Sequence, residues 1–130
     1  MRFASVRIIT GDIIRLVDFY EQALGLEPRW RAAQFAEFPG PSCLLAIGSA
    51  ETMALFGAPA AVPGSNRTAI LEFLVGDVDA EYRRLSGLAT APEIVQPPAT
   101  MPWGNRSLLL RDPDGNLVNF FTPPAEPGRA

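Results

Sequence analysis

Apolar positions along the chain switch between a strand-like and a helix-like period, and the order of the switches occurs twice. In 3–10, the β-branched Val6, Ile8 and Ile9 with Arg7 between them predict a strand. Gly11-Asp12 ends it, and Asp12 is placed to cap a helix. Ile13, Leu16, Val17, Tyr20, Ala23 and Leu24 then recur at helical spacing until Gly25 stops the run. Further strands are expected near 28–38, 42–48 and 51–57, which gives β-α-β-β-β. After the Pro/Gly/Ser-containing stretch 59–66 the order restarts. A strand is expected over 69–75, Gly76-Asp77 repeats the stop and cap, and Val78, Tyr82 and Leu85 mark a helix. Strands near 93–97, 106–111 and 116–121 complete the second set. Asp112-Pro113-Asp114-Gly115-Asn116 lies between the last two, with Pro presetting φ and Gly supplying a left-handed residue for a tight turn.

The two halves align without a gap at an offset of 76 − 11 = 65. Ile13, Val17 and Tyr20 then fall on Val78, Tyr82 and Leu85, Leu44-Leu45 on Leu109-Leu110, and Leu55-Phe56 on Phe120-Phe121. The expected organisation is one α+β domain over 1–130: module one about 3–58, a linker 59–67, module two about 68–123, and a Pro-rich tail 124–130 that frays.

Composition narrows the chemistry. The 130 residues suffice for one domain, and 48% hydrophobic with 19% charged residues describes a soluble globular chain. A net charge of −3 argues against a nucleic-acid partner. All 11 basic residues are Arg, and there is no His. Schiff-base lysines, His-activated nucleophiles and the usual zinc or iron ligands are therefore excluded. Cys43 is alone, so no internal disulfide forms, and it is expected to be a buried structural thiol. No apolar run reaches the roughly 18 residues that span a bilayer, and no leader is evident, so no membrane partner and a cytoplasmic location are expected.

Three segments carry a resemblance. They are Val6-Arg7-Ile8-Ile9-Thr10-Gly11-Asp12-Ile13 with Asp18-Phe19-Tyr20-Glu21 and Leu24-Gly25-Leu26; then Leu71-Glu72-Phe73-Leu74-Val75-Gly76-Asp77-Val78-Asp79-Ala80; and the hairpin Arg111-Asp112-Pro113-Asp114-Gly115-Asn116-Leu117-Val118. Together, over about 3–123, they resemble the glyoxalase / bleomycin-resistance / extradiol-dioxygenase superfamily, also called vicinal oxygen chelate. The resemblance implies two tandem β-α-β-β-β modules forming a half-open barrel around a concave pocket, and a homodimer. It also implies four metal-ligand positions, normally His or Glu, on the first and last strands of each module. Here they fall on Ser5, Ala54, Ile70 and Asn119. None is a carboxylate or an imidazole, so no metal and no cofactor are expected.

The pocket is what remains. If the four positions face inward, strand parity adds Arg7, Ile9, Phe56, Glu72, Leu74, Leu117 and Phe121, and sends Val6, Ile8, Leu71, Phe73, Val118 and Phe120 beneath the helices. The ligand-binding candidates are Ser5, Arg7, Phe56, Glu72, Trp103, Asn119 and Phe121. Arg7 and Glu72 are repeat equivalents (72 − 7 = 65) that interrupt apolar strands. They would orient a polar ligand, with Glu72 the one candidate for a catalytic base, or they would form a structural ion pair. Trp30, Phe35, Phe38 and Trp103 would line a mouth, pack in the core or face a second subunit. The expected function is metal-free binding of a small organic molecule, such as sequestration of an antibiotic or metabolite. The alternatives are a lyase or isomerase working through pocket carboxylate acid/base chemistry, and a protein-interaction module with a closed pocket.

Overall fold

A computed structural model describes residues 1–57 and 60–124. The chain divides into two compact units, Met1–Asn66 and Arg67–Ala130. The frayed tail expected over 124–130 lies outside the described residues except for Pro124, as do residues 58 and 59 at the start of the expected linker.

Unit one runs β1 (Ser5–Thr10), α1 (Ile13–Leu24), β2 (Arg29–Ala32), β3 (Phe35–Phe38) and β4 (Leu44–Ser49), followed by a 3₁₀ segment, Ala50–Phe56. Its sheet has the order β1-β4-β3-β2, with β1 parallel to β4 and the other pairs antiparallel. Asp12 caps α1 as its sequence position requires: extended at φ −138°, it accepts the Arg15 N–H on its carboxylate at 3.1 Å. Gly25 closes the helix at φ 65°, a left-handed conformation that glycine adopts without steric cost, and donates its N–H to the Glu21 carbonyl. The stripe Ile13, Leu16, Val17, Tyr20 and Ala23 is buried. It packs on the sheet face formed by Ala36, Phe38, Leu45 and Ile47, with the Tyr20 and Phe38 rings 6.4 Å apart.

Unit two repeats the plan: β5 (Ile70–Leu74), α2 (Val78–Ser86), β6 (Glu93–Thr100), β7 (Arg106–Arg111) and β8 (Leu117–Thr122), in the order β5-β8-β7-β6. β5 is parallel to β8. Asp77 caps α2 through the Ala80 N–H at 3.0 Å. Val78 and Leu85 from α2, with Leu108, Leu110, Val118 and Phe120 from the sheet, form the core, and Phe73 meets Phe120 edge-on. Tyr82, expected in the core with Tyr20, is only half-buried. Asp112 is buried in the β7–β8 turn. Its Oδ1 accepts the N–H groups of Asp114 and Asn116, and its Oδ2 the Asn116 side-chain amide. Gly115 takes φ 85° there.

Several expectations are corrected. The strand expected near 51–57 is the 3₁₀ segment, because β4 already occupies the central place beside β1, with Ser5 opposite Leu44. The region 28–38 supplies two strands instead of one, turning at Ala33-Gln34. The repeat is therefore not gap-free: β1 and β5 differ by 70 − 5 = 65, but β4 and β8 by 117 − 44 = 73. The counterpart of Asn119 is Ala46, not Ala54, and the counterpart of Phe121 is Gly48, not Phe56. Cys43, expected to be buried, is exposed at the end of the β3–β4 loop.

Candidate functional site

In unit two, α2 covers one face of the sheet, and strand parity defines the other. Along β5, Ile70 (48% exposed), Glu72 and Leu74 (69% exposed) turn away from the side where Leu71 and Phe73 are half-buried. Their register partners on β8 are Leu117, Asn119 and Phe121. Glu72 and Asn119 are directly opposite, and the Asn119 amide nitrogen donates to Glu72 Oε2 at 2.9 Å. Asn119 is 7% exposed, and its Oδ1 is buried with no hydrogen-bond partner among the described residues. An unmade bond at a buried carbonyl is uncommon, and it costs about 1–3 kcal/mol where nothing compensates it. A carboxylate and an orphaned carbonyl oxygen thus sit together within an apolar surround.

In unit one, the equivalent face carries Ser5, Arg7 and Ile9 on β1, Leu44, Ala46 and Gly48 on β4, and Phe35 and Glu37 on β3. Arg7 is exposed, and its guanidinium carbon stands 5.1 Å from the centre of the Phe35 ring. To reach β3 it crosses β4, which is passable because Ala46 and Gly48 leave the strand low there. Such a contact at an exposed site contributes about 0.5–1 kcal/mol, enough to orient the side chain and too little to fix it against a better partner. Glu37 on the same row is held by Arg31. The 3₁₀ segment folds back over this face: a Cβ on Gly48 would lie 3.1 Å from Thr52 Oγ1, with Ile9 and Phe35 at 3.5 and 3.6 Å. Thr52 is anchored in turn to the Ser49 carbonyl at 2.7 Å.

The sequence-derived candidates fall on two sheets. Glu72, Asn119 and Phe121 share one face of one sheet, and Ser5 and Arg7 share the equivalent face of the other. Phe56 belongs to no strand; it ends the 3₁₀ segment at 65% exposure. Trp103 stands 69% exposed in the β6–β7 loop, whose ends are tied by the Met101 N–H and the Asn105 carbonyl. Ala46 and Gly48 were missed because the gap-free alignment drew their places eight residues downstream; matching strand to strand would have found them. Also missed was the Arg106–Asp79 pair, in which two guanidinium N–H groups meet both carboxylate oxygens at 2.8 Å and tie β7 to α2. The Arg106 hydrogen bonds hold the Asp79 carboxyl below the usual aspartate value, against a smaller opposing effect of desolvation.

With the register in place, the four positions that the resemblance assigns to metal ligands are Ser5, Ala46, Ile70 and Asn119. They offer a hydroxyl, two hydrocarbon side chains and an amide whose nitrogen is engaged by Glu72. This donor set does not fit a divalent cation, which needs charged oxygens, thiolates or imidazoles to offset dehydration. Among the described residues no three of His, Cys, Asp or Glu cluster at metal-binding distance.

Two mixed β-α-β-β-β modules with a parallel first and last strand define a glyoxalase-type architecture. The family model for the glyoxalase/bleomycin resistance protein/dioxygenase superfamily matches residues 2–120, and the chain belongs to that superfamily. It is similar to the uncharacterized protein YraH of Bacillus subtilis (strain 168), at 29% identity over 93% of this chain and 98% of the relative. Among solved structures, a glyoxalase/bleomycin resistance protein/dioxygenase from Nocardioides superposes at TM-score 0.78 and 29% identity, covering 100% of this chain and 89% of that one. A glyoxalase-related enzyme from Fulvimarina pelagi shares the fold at TM-score 0.80 and 21% identity, covering 100% and 94% of the two chains. No helix among the described residues is long and apolar enough to cross a membrane.

Proposed function

We propose that this chain is a metal-independent binding protein for a small, partly apolar organic molecule, held on the helix-free face of the second sheet. The observation that carries this is the exposure of Ile70 and Leu74 around the Glu72–Asn119 pair. Large aliphatic side chains left open on both sides of a hydrogen-bonded polar pair match the usual make-up of a ligand site, apolar walls with few polar groups. The donor set at the superfamily's metal positions argues for binding without a metal. The same exposed face, together with the open edges of both sheets, supports a homodimer as the working state. An unpaired, exposed Cys43 suits a reducing compartment, in keeping with a cytoplasmic location.

A thermal-shift screen of several hundred small aromatic and aliphatic compounds tests the binding reading. Hits whose stabilisation is lost in Leu74→Asp support it, and a screen without any hit rejects it. Light scattering at micromolar concentration tests the dimer: a monomeric mass would remove that part.

A further inference from the structure

Resting on that binding reading, we propose that the Glu72–Asn119 pair selects an organic cation: a primary ammonium or amidinium group carried on an apolar body. Glu72 is an exposed carboxylate on a face whose neighbours Ile70, Leu74, Leu117 and Phe121 are all hydrocarbon. Among the described residues of its module no Arg forms an ion pair with it, although Arg106 and Arg111 of that module pair with Asp79 and Glu93. Among the described residues its one hydrogen-bond partner is the neutral Asn119 amide, which engages Oε2. Oε1 is left to accept from a ligand.

Asn119 supplies the second, independent observation. Its nitrogen is committed to Glu72, so the amide orientation is fixed by the carboxylate, and its oxygen is the atom left over, buried and unpartnered. Two acceptors on neighbouring strands, directly opposite in register, call for a ligand that brings two or more N–H donors and a positive charge. A carboxylate ligand would meet Glu72 with like charge, and an alcohol would bring one donor and no charge. Because Asn119 Oδ1 is closed to solvent, the cation reaches it with a small side-chain displacement on this face, and the hydrogen bond then made is one that water does not already supply.

The experiment measures binding of benzamidinium, benzoate and benzyl alcohol to the full chain by calorimetry and thermal shift near pH 7. The expected result is binding of benzamidinium that exceeds both comparators by about tenfold or more, the difference typical of a charge-assisted pair. Glu72→Gln should weaken benzamidinium about tenfold and benzyl alcohol far less. Asn119→Asp, which puts a second carboxylate at the same place, should strengthen benzamidinium and weaken benzoate further. Each variant's unliganded melting curve establishes that it folds, and if one does not, the comparison of the three probes on the unaltered chain still decides. Equal or tighter binding of benzoate or benzyl alcohol overturns the cation selectivity and leaves the binding reading standing. If benzamidinium fails to bind while the compound screen yields other ligands, the inference falls alone; if the screen is also empty, both fall.

Discussion

The two modules use the same plan and fill its central strand in opposite ways. In the first, β4 places Ala46 and Gly48 on the helix-free face, and Arg7 and the 3₁₀ segment close over the space they leave. In the second, the equivalent positions on β8 are Asn119 and Phe121, and among the described residues no segment of that module folds back over β5, where Leu74 stays 69% exposed. The loops before these strands differ as well. Both connections are five residues long, but 39–43 is exposed throughout, whereas 112–116 is organised around a buried Asp112. One module is finished by a covering segment and the other by an internally bonded turn. A duplicated fold therefore carries one face approached by a neighbouring segment at Gly48 and one on which Ile70 and Leu74 stay exposed.

The largest expected break in this contrast is at the turn. Asp112→Ala strands the N–H groups of Asp114 and Asn116 and the Asn116 amide, and should cost about 3 kcal/mol in urea unfolding. Ser42→Ala, in the exposed loop of the first module, should stay within about 0.5 kcal/mol. Equal effects would show that the turn is no more than a connector. Next comes the covered face. Gly48→Val drives a side chain against Thr52, Ile9 and Phe35, and should cost about 1–3 kcal/mol while exposing the 3₁₀ segment to proteolysis. Phe121→Val, on the open face, should lower ligand affinity before it lowers stability. If Gly48→Val leaves the melting temperature and the protease pattern unchanged, the covering role of the 3₁₀ segment is wrong.

The caps should erase the contrast. Asp12→Ala and Asp77→Ala each remove one carboxylate-to-N–H bond at about 3 Å, and each should cost about 1 kcal/mol. A difference well above that between them would mean the two helices are not equivalent. The smallest effect belongs to Asp79, whose module-one counterpart at the offset of 65 is the exposed Ile14. Its folded-state pKa is depressed by Arg106, so its contribution to stability is present above the unfolded aspartate value and disappears as pH falls through the lower folded value. Asp79→Asn should therefore narrow toward the parent in stability as the pH is lowered below the ordinary value of 3.8. A gap constant with pH would assign the effect to packing instead. The pair is exposed at both ends, so salt should shrink the gap.

Much of the fold was legible in the sequence because it rests on local chemistry. Asp12, Gly25, Asp77 and the Asp112–Asn116 turn act within four residues of themselves, the aspartates through their carboxylates and Gly25 through its freedom to take a positive φ. The 3₁₀ segment Ala50–Phe56 was not legible and was read as a strand, since Leu55 and Phe56 have strand-like composition and only the pairing of Ser5 with Leu44 reveals that the sheet is already complete. The candidate site was legible to the same extent. Parity put Glu72, Asn119 and Phe121 on one face, because β5 and β8 carry regular two-residue alternation. Phe56 and Ala54 were assigned to a strand they do not occupy, because both were reached by counting through the longer β6–β7 hairpin: β6 has eight residues where β2 has four. Arg106 and Asp79, 27 residues apart on different elements, carry no local signal at all.

The parallel pairing in each module also orders events in time. Within β7–β8, Arg111 and Leu117 pair across a turn that is already prepared by Asp112. β5 meets β8 only after a closure of 117 − 70 = 47 residues, and β1 meets β4 after 44 − 5 = 39. Short closures form in about microseconds, and long ones wait for the intervening helix and hairpin to shorten the search. The hairpin arms are thus the natural nucleus of each half, and the leading strand is the last to join. Since that leading strand in unit two bears Glu72, the face with the Glu72–Asn119 pair is completed at the final step, and the β5 amides should be the last to gain protection in pulse-labelled hydrogen exchange, after those of Leu108 and Leu110. Protection of β5 before β7 would reverse this order.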